Sequence, residues 1–433
     1  MPLSILLFYI ILLHCMLLNL NGLFINIIMK AYNLLKNLYS VKSLFTVILT
    51  ITILTGCKKD EITPDENKNT YLVKSQLIAT ANKSQILLVV SLYPEIYDKV
   101  SQMDLLSVNV YKLSYNTTDV EGNDILASGA VIVPITDKPL PLLSYQHGSL
   151  FNLAEAPSMY SIGIETRGLA TFMASAGYAV SVPDYLGYGE SSSYPHPYEH
   201  ANTLASASYD MLMATKEFLK DNKIVTSDKL FLTGYSEGGN ATMALHKYIE
   251  ENTDLVVTMS APASGAYNKT AFAKRILEIN EDLDFLPRFM WVIDSYNWIY
   301  GLDRPWSAYV NEPYAASLEA VNSPLNLADL NINHNPQLLF TTSMIEGVLN
   351  STDSEFLSAL SDNDIFNWKP KFPVTLYYGT ADDYVFPLNS ETAYDAMLAK
   401  GASITKKVYQ GANHNIAVVP YMMDMFDLFE TLK

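Results

Sequence analysis

One segment constrains this chain more than any other: Lys229-Leu-Phe-Leu-Thr-Gly234-Tyr235-Ser236-Glu237-Gly238-Gly239, an apolar run that breaks into Gly-x-Ser-x-Gly and continues as a helical pattern to Glu250. A strand that becomes a helix across one residue forces that residue into a strained backbone. Glycines on either side, here Gly234 and Gly238, remove the Cβ atoms that would clash with the neighbouring strand and helix. Such an elbow lifts the Ser236 hydroxyl clear of the sheet and sets the backbone N–H of Glu237 at a helix start, where negative charge is favoured. A serine hydroxyl is a weak nucleophile near neutral pH. It needs a base for its proton, and the base needs a carboxylate to fix its tautomer.

The surrounding pattern supplies a sheet for that elbow. From about residue 105, short β-rich runs alternate with longer helical ones, as a mostly parallel twisted sheet with helices on both faces requires. Runs 107–116 and 125–134 alternate apolar and polar residues around Glu121-Gly122-Asn123 and predict an antiparallel hairpin. Further strands are expected at 141–146, 178–182, 229–234, 255–260, 374–379 and 404–409, several of them almost wholly apolar. Helices are expected at 203–220, 239–250, 390–400 and 418–432. The stretch between the strands at 255–260 and 374–379 is far too long for a simple crossover. It is rich in aromatics, among them Phe285, Phe289, Trp291, Tyr296, Trp298, Tyr300, Trp306 and Tyr309, and reads as a helical cap inserted at about 264–370.

These segments resemble the α/β-hydrolase superfamily over about residues 105–433. They are most similar to its secretory lipase and esterase branch, through the late cap and Trp368-Lys369-Pro370 before the next strand. The resemblance implies the chain order serine, acid, histidine. Of the seven histidines only His414, in Gly411-Ala412-Asn413-His414-Asn415, follows the last loop able to hold the acid; His14, His147, His196, His200, His246 and His334 all precede it. The run Gly379-Thr-Ala-Asp382-Asp383-Tyr-Val385 resembles the family's Gly-x-x-Asp-x-x-Val, which points to Asp382 as the acid, with its neighbour Asp383 as the alternative. The resemblance further implies an oxyanion hole built from the N–H of Glu237 and a second N–H from the loop Gln146-His147-Gly148-Ser149, given by Ser149 or Gly148. His147, and Asp184 in Pro183-Asp184-Tyr185-Leu186-Gly187, read as structural. The activity implied is hydrolysis of a small-molecule or lipid carboxylic ester through an acyl-enzyme. An acidic site for a substrate amine, from Glu237 or the cap acids, keeps a serine peptidase open as the alternative, and a catalytically inactive binding protein of the same fold is a third reading.

The first 70 residues carry a different message. An apolar stretch at 43–56 follows Lys30, Lys36 and Lys42 and closes on Leu54-Thr55-Gly56-Cys57. That ending resembles the bacterial lipoprotein box, which implies a signal peptide within 1–56, lipidation of Cys57 and a membrane tie through that anchor. Met29-Lys30 by itself begins a signal of ordinary length, which points to Met29 rather than Met1 as the start, with a transmembrane helix over Leu3 to Ile28 as the alternative. Residues 57–70 are polar and form a tether, leaving 71–433 as the hydrolase domain. Lys59-Asp60-Glu61 resembles the surface-export signal of Bacteroidota lipoproteins and implies an outer membrane lipoprotein of the cell envelope, exposed on the cell surface.

Other chemistries find little support. A formal charge of −17 argues against nucleic acid, whose phosphates attract a surplus of Lys and Arg. The two cysteines, Cys15 and Cys57, lie ahead of the body and exclude a disulfide framework there. His196 and His200 have a helical metal-pair spacing, but Pro195 and Pro197 break the helix it would need, so neither a metal nor another cofactor is expected.

Overall fold

A computed structural model describes residues 69–433 apart from 93, 162–164 and 322. The expected signal peptide, the choice between Met1 and Met29, and the expected lipidation of Cys57 lie outside the described residues. Asn69 and Thr70, the end of the expected tether, hydrogen-bond to Asp221 and Glu217 at the end of the helix Ala201–Asp221.

Among the described residues nine strands form one sheet: β1 (Leu72–Ala81), β2 (Val108–Thr118), β3 (Asp124–Pro134), β4 (Leu140–Gln146), β5 (Ala179–Pro183), β6 (Thr226–Tyr235), β7 (Met259–Ala263), β8 (Val374–Gly379) and β9 (Ile404–Tyr409). Their spatial order is β1-β2-β3-β5-β4-β6-β7-β8-β9. The pairings β1–β2, β2–β3 and β3–β5 are antiparallel. From β5 through β4, β6, β7 and β8 to β9 every pairing is parallel. This is the α/β-hydrolase fold.

Side-chain alternation explains how both faces are covered. In β6, Phe231 packs with Phe172, Tyr421 and Phe429 on the face under the helix Val418–Leu432. Its neighbours Leu230 and Leu232 pack with Met211, Phe218 and Ile249 on the opposite face, under the helices Ala201–Asp221 and Glu237–Asn252. Every residue of β4, β5 and β8 is buried, as strands sandwiched between helix layers are.

Two expectations need correction. The strand expected at 255–260 runs instead from Met259 to Ala263, because its register is set by pairing with β6, Phe231 opposite Met259 and Tyr235 opposite Ala263. The apolar Val256, read as strand, is largely exposed. The sheet also begins earlier than residue 105. β1 is mostly exposed, so its identity comes from hydrogen bonds to β2 rather than from a hydrophobic period.

Between β7 and β8 lie the cap helices, chiefly Lys269–Glu278, Leu286–Ile299, Thr342–Leu349 and Ser354–Asp362. They share a core of Phe272, Trp291, Tyr296 and Leu360 that also takes in Tyr188 and Tyr198 from the loop after β5. The Tyr198 and Trp291 rings stack with centroids 4.6 Å apart. Beside this seam, the buried His200 imidazole bonds Thr203 Oγ1 through Nδ1 at 3.0 Å and meets the Tyr300 ring edge-on. Burial holds its pKa down to about 4, against an ordinary 6.5. Because the folded value is the lower one, protons bind the unfolded chain better. The stability it contributes is whole above pH 6.5 and is lost as pH falls towards 4. His200→Gln is expected to remove up to about 3 kcal/mol of that acid-induced loss, read as a flatter melting temperature between pH 7.5 and 4.5; an unchanged slope would count against this assignment.

Candidate active site

At the carboxyl end of β6 the chain turns into the helix Glu237–Asn252 at Ser236, whose φ of 60° and ψ of −124° lie where side chains are strained. The turn is tied down by Ser236 N–H donating to the Ala263 carbonyl at 3.0 Å. A Cβ on Gly234 would strike the carbonyl oxygens of Gln146 and Gly238, and one on Gly238 those of Gln146 and His147. The backbone obstacles cannot swing aside as a flexible side chain would. Gly238→Ala is therefore expected to cost about 3 kcal/mol, measurable as a drop in the denaturant midpoint of unfolding; a loss within about 0.5 kcal/mol would show that the elbow can relax.

His414 and Asp382 meet although they come from different loops. Gly379 ends β8 so close to the loop after β9 that a Cβ there would strike the Ala412 carbonyl. Ala381 N–H donates to that same carbonyl. His414 Nδ1 lies 3.0 and 2.9 Å from the two Asp382 oxygens. The carboxylate is oriented in turn by the N–H groups of Tyr384 and Val385, at 3.1 and 2.9 Å. Tyr235, next to the elbow, donates its hydroxyl to the His414 carbonyl at 2.6 Å. Asp382 is 3% exposed, whereas Asp383 faces solvent and makes no contact with the ring. A ring that donates Nδ1–H to a carboxylate keeps the Nε2 lone pair free to accept a proton.

Ser236 and His414 line one cavity of about 310 Å³ together with Gly148, Ser149 and Asn415. Among the described residues neither the Ser236 hydroxyl nor His414 Nε2 is hydrogen-bonded, to each other or elsewhere. The apolar part of the wall contributed by the cap includes Phe272, Ile276, Phe285, Phe289, Val292 and Leu360.

The oxyanion candidates divide. A Cβ built on Gly148 would lie 3.7 Å from Ser236 Cβ, so this loop runs beside the serine. Gly148 N–H, however, donates to Glu165 Oε2 at 2.8 Å, which removes it as an oxyanion donor. The N–H groups of Ser149 and Glu237 have no acceptor among the described residues. Glu165 also accepts from the Tyr145 hydroxyl, and burial pushes its carboxyl above the usual range.

The Glu237 side chain is likewise corrected. Far from charging the cavity, it is buried and its Oε1 lies 2.8 Å from His196 Nε2, while His196 Nδ1 bonds the Leu186 carbonyl at 2.7 Å. The pair His196/His200 is thus split between different partners. His147 bonds the carbonyls of Gly148 and Asp184. Asp184, buried, accepts from Ser128 Oγ at 2.5 Å and Ser158 N–H at 2.7 Å, so both hold the loop in shape.

Four charged wall residues escaped the sequence reading: Glu165, Glu199, Lys269 and Arg288. No motif marks them. Glu199 and Lys269 form a buried ion pair that joins the loop before the helix Ala201–Asp221 to the first cap helix.

Fold and site together define an α/β-hydrolase with a serine elbow, a histidine–aspartate pair and a capped apolar cavity. A sequence model of the secretory lipase family matches residues 154–280, a span that includes Ser236 but neither Asp382 nor His414. No curated protein sequence matches the chain. Among solved structures, a Legionella pneumophila protein is 25% identical with a TM-score of 0.75, over 84% of this chain and 98% of its own. The rice cell wall degrading esterase LipA of Xanthomonas oryzae is 22% identical with a TM-score of 0.73, over 84% and 100%. Candida antarctica lipase A in its closed state is 18% identical with a TM-score of 0.61, over 84% and 83%.

Proposed function

We propose that this protein is a serine hydrolase that cleaves carboxylic esters through an acyl-enzyme. The observation that carries the reading is the His414 ring held by Asp382 through Nδ1, with its free Nε2 in the same cavity as the Ser236 hydroxyl. The secretory lipase match and the likeness to an esterase and a lipase support it.

In this scheme Ser236 Oγ attacks the ester carbonyl carbon while its proton passes to His414 Nε2. Asp382 stabilises the imidazolium that results. The N–H groups of Glu237 and Ser149 receive the oxyanion, the first reinforced by the positive end of the helix it opens. Collapse breaks the C–O bond to the alcohol, which leaves with the proton from His414. Water, deprotonated by the same ring, then releases the acid and restores Ser236. The apolar cap wall takes the hydrocarbon part of the substrate.

A panel of 4-nitrophenyl esters set against aminoacyl-4-nitroanilides, with fluorophosphonate labelling, tests the scheme. Ester turnover with labelling of Ser236 is expected. Brisk amide turnover with inert esters would make the protein a peptidase, and absence of labelling would make it a binding protein. Glu237, one of the acids that could receive a substrate amine, is committed to His196.

The anchor belongs to the same proposal. Leu54-Thr55-Gly56-Cys57 supports lipidation at Cys57 and an envelope lipoprotein. Among the described residues no helix is long and apolar enough to cross a membrane. Incorporation of labelled palmitate that persists in Cys57→Ser would overturn the anchor.

A further inference from the structure

Among the described residues the cavity wall holds one charged side chain that has neither a polar partner in the fold nor a part in the hydrolytic scheme. Of its charged residues besides His414, Glu165 is held by Gly148 N–H and the Tyr145 hydroxyl, and Glu199 is paired with Lys269. Arg288, in the first turn of the cap helix Leu286–Ile299, has no such partner. Among the described residues no carboxylate lies within 4.0 Å of its guanidinium, and its side chain makes no hydrogen bond.

Its position is also defined. The guanidinium lies 5.1 Å from the Phe151 ring centroid and 5.4 Å from that of Tyr384. Phe151 follows the loop that carries Ser149, and Tyr384 follows Asp382 by two residues. The Tyr384 ring stacks on the His414 imidazole with centroids 5.3 Å apart and planes at 23°. Arg288 is thus a cap residue held by aromatic contacts to both loops that flank the reacting groups. Ring contacts satisfy the face of a guanidinium but none of its five N–H donors, which lie in the plane of the fork. A planar, permanently charged fork matches a carboxylate through two parallel hydrogen bonds. In a mostly apolar cavity such a cation gains far more from an anionic partner than it would in water.

We propose that Arg288 is a specificity determinant that binds a carboxylate carried by the ester substrate, on its acyl or its alcohol portion. The proposal rests on the ester-hydrolase reading above. Two matched pairs test it: mono-4-nitrophenyl glutarate against its neutral glutaramide counterpart for an acyl-side anion, and 4-carboxyphenyl butyrate against 4-carbamoylphenyl butyrate for an alcohol-side one. In Arg288→Gln the anionic-to-neutral ratio of kcat/KM is expected to fall about tenfold in one pair, with Arg288→Lys retaining part of it; the pair that responds locates the anion. A ratio unchanged in both pairs, whether because neither ester slows or because both slow alike, overturns the proposal and leaves Arg288 a clamp between cap and loops. Wild-type protein inert to all four esters overturns the hydrolase reading beneath it instead.

Discussion

Replacing Ser236 by alanine is expected to lower kcat for a 4-nitrophenyl ester by about 10⁵-fold and to abolish fluorophosphonate labelling. The fold should survive, because alanine keeps the Cβ already accommodated at φ 60° and loses only a hydroxyl that makes no hydrogen bond among the described residues. What disappears is the covalent route. The two N–H donors and the apolar wall remain, so turnover by direct attack of water persists well above the uncatalysed rate. His414→Ala should fall as far, since base and nucleophile act as one unit and their losses do not add. Activity of Ser236→Ala above a tenth of wild type, in protein with a native unfolding midpoint, would rule out the acyl-enzyme.

Asp382→Asn should lower kcat by about 10⁴-fold with little change in KM. The asparagine amide fills the same space and can still accept from Tyr384 and Val385 N–H. Turned to donate to Nδ1, however, it stabilises the wrong imidazole tautomer, with the proton on Nε2, where the serine proton must go. Asp383→Asn is the control, expected within about twofold of wild type, because that carboxylate faces solvent. The reverse ranking, measured on the same ester, would move the acid by one residue and undo the orientation read from the Asp382–His414 contact.

Much of this was legible in the sequence. The elbow at Ser236 was, because the apolar strand, the glycines and the helix that follows are all local, and the close approaches at Gly234 and Gly238 leave no room for other residues. The hairpin of β2 and β3 was legible from the turn at Glu121-Gly122-Asn123 between two strand-forming runs, although β3 is buried without alternation from Ala127 to Pro134, and the final helix was legible from its period near 3.6. β1 was not, because a mostly exposed edge strand has little hydrophobic period to read. β7 was misplaced by a few residues, because an apolar run at its start resembles a strand more than the small residues that actually pair with β6.

The sequence by itself determined where a nucleophile could stand and which histidine could follow it in chain order, since strand-turn-helix geometry is decided by neighbouring residues. Tertiary structure alone decided that Asp382 rather than Asp383 meets His414 from 32 positions away, and that Glu237 turns to His196 across 41. It alone committed Gly148 N–H to Glu165 and left Arg288 without an acid partner among the described residues. The physical reason is range: backbone conformation is set by residues within a turn or two, whereas the partner of a buried or cavity-facing polar group is whatever the packed fold brings within hydrogen-bond reach.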